Sequence, residues 1–157
     1  MIRTATSDDA PLLAKLINDA FVVEAFFKIG DRTSADEIIE LMRSGEFLVL
    51  EDPEPGAVAG CVYLASNADR AYFGMLSVDP TKQGHGLGSR LIDAVESRAR
   101  ERGCRCMEIH IVNLREELPG YYRRFGYAER GTLPFSDPSR ASRPCHFIVM
   151  TKDLAPP

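Results

Sequence analysis

The run Gln83-Gly84-His85-Gly86-Leu87-Gly88 constrains this chain more than its composition does, because of what lies on either side of it. Tyr72 to Val78, before it, reads as a strand that Asp79-Pro80 stops. Gly86 to Arg102 carries Leu87, Leu91, Ala94, Val95 and Ala99 at helical spacing, and Gly103 closes that helix. A strand that turns through glycines into a helix presents free amides and the positive end of a helix dipole. Glycines also let an anion approach the backbone, since no Cβ intervenes. The combination makes a cradle fit for a pyrophosphate, and Lys82 and Arg90 flank it with positive charge. A turn that only joins strand to helix is the plainer alternative.

Two familiar nucleotide motifs do not match. A dinucleotide fingerprint needs glycine at the sixth position of G-x-G-x-x-G, which is Ser89 counted from Gly84 and Leu91 counted from Gly86. A P-loop needs Gly-Lys-Ser/Thr at its end, and none is present. The strands before the turn also read as antiparallel, whereas both nucleotide folds begin with parallel units.

The remaining chain alternates short strand and helix signals. Ile2 to Ala5 reads as a first strand, and Ser7 as the N-cap of a helix carrying Leu12, Leu13, Leu16, Ile17 and Ala20. Ser34-Ala35-Asp36-Glu37 reads as a capping box opening a second helix that Gly45 ends. Phe47 to Leu50, Ala57 to Ala65 and Tyr72 to Val78 form an expected antiparallel meander. Cys104 to Val112 is a strand, Leu118 to Phe125 a short helix, and Tyr127 to Leu133 and Pro144 to Lys152 the last two strands. Cys104 and Cys106 are expected on one face of their strand.

At 157 residues the chain suits one domain, residues 1–157, with a core that needs no staples. A net charge of -4 argues against a general nucleic-acid binder. Cys61, Cys104, Cys106 and Cys145 lack zinc-site spacing, so no metal is expected. Met1-Ile2-Arg3-Thr4 leads straight into polar sequence, and no apolar run approaches a membrane span. A cytoplasmic protein without a membrane or nucleic-acid partner is expected, and exposed edge strands suit a homodimer.

Leu76-Ser77-Val78-Asp79-Pro80 followed by Gln83, Gly86 and Gly88 resembles the central motif of the GNAT superfamily of N-acetyltransferases. Asn113 at a strand end, then Tyr121-Tyr122 shortly before Gly126, resembles the second motif of that superfamily. The two motifs cover residues from about 71 to 127, and the flanking element order also fits. The resemblance implies an α/β (α+β) fold: a mixed, mostly antiparallel sheet of about seven strands, about four helices, and a splay between strands 4 and 5. It implies acetyl-CoA in that gap, with its pantetheine arm along Leu76, Ser77 and Val78. The pyrophosphate would lie on Gln83, Gly84, His85, Gly86, Leu87, Gly88 and Ser89, and Asn113 would stand near the pantetheine.

The implied reaction is direct attack of an amine on the acetyl thioester in a ternary complex. By motif position Tyr122 assists departure of the thiolate, while Tyr121 is expected to pack in the core. Many relatives place a glutamate on the fourth strand, but Ala71-Tyr72-Phe73-Gly74-Met75 contains no carboxylate. By alternation Glu108 and His110 share a face of the fifth strand, so His110 is a candidate base, beside deprotonation through ordered water.

In this superfamily the acceptor site is usually lined by the loop between the first two helices and the loop before the last strand. Phe27, Asp31, Arg32 and Arg140 therefore become candidate contacts for a small-molecule or peptide amine. Arg32, Arg140 and Arg143 would favour an acceptor carboxylate or phosphate, and Asp31 an ammonium. A non-catalytic acyl-CoA-binding or sensing module on the same fold stays open, as does a nucleotide-binding protein using the glycine turn.

Overall fold

Phe47-Leu48-Val49-Leu50 is apolar without a break because both faces of its strand are covered. In the computed structural model, which describes residues 1–154, this strand is β2 (Gly45–Glu51). Leu48 and Leu50 face one core, and Phe47 and Val49 face the other. The first core lies under α3 (Leu87–Glu101), whose Leu91, Ile92, Val95 and Ala99 pack on the sheet. The second lies under α1 (Ala10–Ala20) and α2 (Ala35–Leu41), which contribute Leu13, Leu16, Ile17 and Ile38.

The sheet begins with β1 (Ile2–Thr4) and continues through β2, β3 (Val58–Asn67) and β4 (Arg70–Val78). It is completed by β5 (Cys106–Val112), β6 (Ala128–Pro134) and β7 (His146–Asp153), with α4 (Leu118–Arg123) between β5 and β6. The seven strands follow the order β1-β2-β3-β4-β5-β7-β6. Every neighbouring pair is antiparallel except β4 and β5. The mixed sheet and the four α-helices among the described residues agree with the architecture that the resemblance implies. Among the described residues no helix is long and apolar enough to cross a membrane.

The parallel pair β4–β5 is joined only at its start, where Arg70, Ala71 and Tyr72 register with Cys106, Met107 and Glu108. Beyond Tyr72 the two strands separate. A β-bulge lies where they part: Tyr63 on β3 faces Gly74, but Cys61 faces Ser77, so β4 carries one extra residue. Met75 takes a positive φ of 53° there. Such a bulge bends the strand that bears it and re-aims its side chains and edge groups.

Several local expectations are corrected. Ser7 does not cap α1; Thr6 precedes a 3₁₀ turn at Ser7–Asp9, and the Thr6 amide donates to the Asp9 carboxylate at 2.8 Å. Ser34 does cap α2, accepting the Glu37 amide at 3.1 Å, but the Glu37 carboxylate takes the Thr33 hydroxyl at 2.8 Å rather than closing a box. Gly45 opens β2 rather than ending α2, and any Cβ there would strike the Leu64 carbonyl as well as the Tyr63 ring, 2.8 Å away. Cys104 precedes β5 and is buried in the α3-side core, whereas Cys106 lies on the strand face of Glu108 and His110. The Cys104 amide still donates to the Ala99 carbonyl, so the residue follows the end of α3 rather than the alternation of β5.

Candidate active site

The splay between β4 and β5 opens a cleft of about 1140 Å³. Pockets for one small molecule run to roughly 300–1,000 Å³, so this cleft lies above the large end of that range. One wall is the edge of β4, from Phe73 through Leu76 to Val78. Past Tyr72 the β5-facing edge of this strand has no ladder partner, which leaves backbone amides and carbonyls for a ligand to satisfy. Leu76 and Val78 line the cleft, while Ser77 is buried and its hydroxyl donates to the Met75 carbonyl at 3.0 Å.

The wall runs directly into the glycine turn. Gly84 and Gly86 adopt φ of +88° and +74°, and a Cβ at either would meet nothing within 4 Å. The glycines serve the backbone conformation here, and the space over them is open. Gln83, Leu87, Gly88 and Ser89 also line the cleft; His85 is exposed and does not. The Lys82 ammonium pairs with the Asp52 carboxylate, and Lys82 lies outside the lining. Arg90 is exposed and lies outside the lining.

Tyr122 faces the cleft from α4, 9% exposed, among the rings of Phe73, Tyr121 and Tyr127. Burial pushes its phenol far above the ordinary value, so it stays protonated across the working pH range. Nothing among the described residues hydrogen-bonds the hydroxyl. Tyr121 is partly buried, packs against the α3-side core as expected, and also lines the cleft, with its hydroxyl 3.0 Å from where a Gly88 Cβ would stand. Asn113 ends β5 outside the cleft lining, and its side-chain oxygen accepts the His146 amide at 2.8 Å.

Across the cleft on β5, His110 Nε2 lies 2.6 Å from a Glu108 oxygen. The other Glu108 oxygen accepts from Arg70 at 2.8 Å. The His110 ring packs 5.0 Å from Tyr72 and 5.9 Å from Phe147. The expected shared face of Glu108 and His110 is therefore a direct contact.

The far end of the cleft is closed by two loops. The Ile29 amide donates to the Arg140 carbonyl at 2.8 Å, and the Ser142 amide to the Phe27 carbonyl at 2.7 Å. Arg32 and Arg140 line the cleft. Phe27 does not: it is fully buried, against Phe26, so it supports the loop from behind. Asp31 is exposed, and its carbonyl takes the Arg140 guanidinium. Arg143 lies over the Phe26 ring, outside the lining. Lys28, Glu24 and Arg115 line the cleft without having been singled out in the sequence. Glu24 and Arg115 form a part-buried pair at 2.8 Å across 91 residues of chain, a separation that no local pattern reveals.

The model of the acetyltransferase (GNAT) family matches residues 13–127. The chain is 38% identical over 76 residues to blasticidin-S acetyltransferase of Streptomyces morookaense, covering 48% of this chain and 52% of that protein. It is 31% identical over 106 residues to glucosamine 6-phosphate N-acetyltransferase 1 of Oryza sativa subsp. japonica, covering 63% of this chain and 62% of that protein. The chain thus spans about half to three-fifths of the length of these relatives. Among solved structures, yncA of Salmonella typhimurium, a putative acetyltransferase with its cofactor acetyl-CoA, superposes at a TM-score of 0.74 and 20% identity. That likeness covers 100% of this chain and 95% of that one, and it is one of fold.

Proposed function

The chain belongs to the acetyltransferase (GNAT) family, and on that premise we propose that it moves the acetyl group of acetyl-CoA to an amine acceptor by direct attack in a ternary complex. One observation carries this reading: the unpaired edge of β4 leads without interruption into the glycine turn, within the cleft that also holds Tyr122 and His110. An extended, amide-bearing arm ending in a pyrophosphate fits such a wall, with amides along the strand edge and free amides at the α3 N-terminus. Acetyl-CoA, when bound, supplies an acetyl thioester and a thiolate leaving group. The single continuous sheet supports treating residues 1–157 as one acetyltransferase domain.

His110 takes the proton from the acceptor nitrogen, and Glu108 holds the imidazole in place. The nitrogen forms its bond to the acetyl carbon as the carbon–sulfur bond breaks. Tyr122 hydrogen-bonds the departing thiolate, since a neutral phenol is the form present there. Much of the rate comes from holding both reactants in one cleft.

Calorimetric titration with acetyl-CoA, ATP and NAD, followed by thiol release with a panel of amines, tests the reading. Micromolar binding of acetyl-CoA alone, with turnover, is expected. Binding without turnover of any amine would replace it with an acyl-CoA-binding module. Displacement of bound coenzyme A by low ATP or NAD would overturn the assignment of the turn.

A further inference from the structure

We propose that the acceptor carries an anionic group, a carboxylate or a phosphate, held by Lys28, Arg32 and Arg140 while its amine meets His110; this rests on the transferase reading above. The Lys28 side chain is half-buried at the closed end of the cleft, yet its ammonium makes no ion pair or hydrogen bond among the described residues. Arg32 likewise lacks an ion pair and lies over the Phe21 ring, 5.4 Å from its centroid. Arg140 gives one bond to a backbone carbonyl, that of Asp31, and pairs with no carboxylate among the described residues.

Three cations thus share one wall without counter-ions of their own. The nearby carboxylates are engaged elsewhere. Glu24 is paired with Arg115 at 2.8 Å, Glu37 accepts the Thr33 hydroxyl at 2.8 Å, and Asp137 accepts the Ser139 hydroxyl at 2.6 Å. Arg115 also meets Glu117 at 3.0 Å; Glu24, Glu117 and Asp137 set three negative charges in the lining against Lys28, Arg32, Arg115, Arg124 and Arg140, so an excess of positive charge remains. Desolvating an unpaired cation is costly, and like charges on one wall add to that cost. Both effects act on Lys28: burial first, then Arg32, push its ammonium down to about 8, against the opposing pull of Glu24 and Glu37. An arrangement that is unfavourable in the free protein becomes favourable when an anion joins it.

The geometry also sets where the anion lies relative to the amine. Arg32 is close enough to Tyr72 to act on its phenol, and the Tyr72 ring stands 5.0 Å from His110. Lys28, Arg32, Arg140, Tyr72 and His110 therefore line one cleft, where the anion and the amine of one acceptor can be held together. The bonds from Ile29 to Arg140 and from Ser142 to Phe27 hold the two cation-bearing loops together, so the wall is organised before any acceptor arrives.

Matched acceptors test this by thiol release: an α-amino acid against its carboxamide, and an amino-sugar phosphate against the same amino sugar. The anionic member of at least one pair should show a kcat/KM at least tenfold higher, and the pair that does so separates carboxylate from phosphate. Lys28→Met and Arg32→Gln, each verified as folded by thermal melting, should raise KM for that member at least tenfold while kcat changes less. Equal use of neutral and anionic members would overturn the proposal and leave the transferase reading intact. Where acetyl-CoA fails to bind or no acceptor turns over, titration with inorganic phosphate and with acetate decides separately. Binding of either that Lys28→Met abolishes supports the subsite; no binding of either, or binding that this variant leaves unchanged, overturns it.

Discussion

Glu108 and His110 meet side chain to side chain on one face of β5, 2.6 Å apart, and Arg70 from the neighbouring strand secures the outer oxygen of the carboxylate at 2.8 Å. The His110 bond, and after it Arg70, hold the Glu108 carboxyl below the usual carboxylate range despite partial burial. Its contribution to stability is therefore present at neutral pH and lost as the pH falls below about 4. His110→Ala should lower kcat by about 10²–10⁴ with acetyl-CoA affinity retained, and added imidazole should restore part of it. Glu108→Gln should lower kcat less, because in the proposed mechanism Glu108 only positions His110, and it lies outside the cleft lining. Full activity in His110→Ala would transfer proton removal to water.

Tyr122→Phe removes one hydroxyl and leaves the ring packing against Phe73, Tyr121 and Tyr127. A loss of about 100-fold in kcat is expected, with the dissociation constant of acetyl-CoA and the melting temperature little changed. Equal turnover would reduce Tyr122 to a wall of the cleft.

At Gly86 a side chain must adopt φ near +74°, which costs an L-residue about 1–2 kcal/mol. Gly86→Ala is expected to show mainly that conformational cost. Gly86→Glu adds negative charge beside the free amides and should weaken acetyl-CoA binding more than tenfold beyond Gly86→Ala, as read by calorimetry. Equal affinities in the two folded variants would remove the turn from the binding site.

Glu96 is a buried carboxylate on α3 that accepts the Tyr127 hydroxyl at 2.8 Å and the Lys152 ammonium at 2.9 Å. Glu96→Ala leaves both partners without their acceptor and should destabilise the fold by about 3 kcal/mol in urea denaturation. Glu96→Gln keeps a hydrogen-bond acceptor and should cost less. The Tyr127 end of this network packs against Phe73 and Tyr122, so a drop in kcat larger than the loss of folded protein would show that it also sets the Tyr122 position.

Where a contact depends on neighbours in the chain, the sequence determined it. The meander, the glycine turn opening α3, and the shared face of Glu108 and His110 follow from two-residue alternation, helical spacing and glycine placement, all local properties. The same local reasoning misplaced Gly45 and Cys104. Gly45 answers to the Tyr63 ring across the sheet, and Cys104 to the Ala99 carbonyl at the end of a helix. Tertiary structure alone decided the loop end of the cleft. It turned Phe27 inward, aligned the loop of Lys28 with that of Arg140, and joined Glu24 to Arg115 across 91 residues. Charge pairing between distant loops has no periodicity in sequence. Which cations keep a partner and which are left for a ligand is settled only when the folded chain excludes water around them.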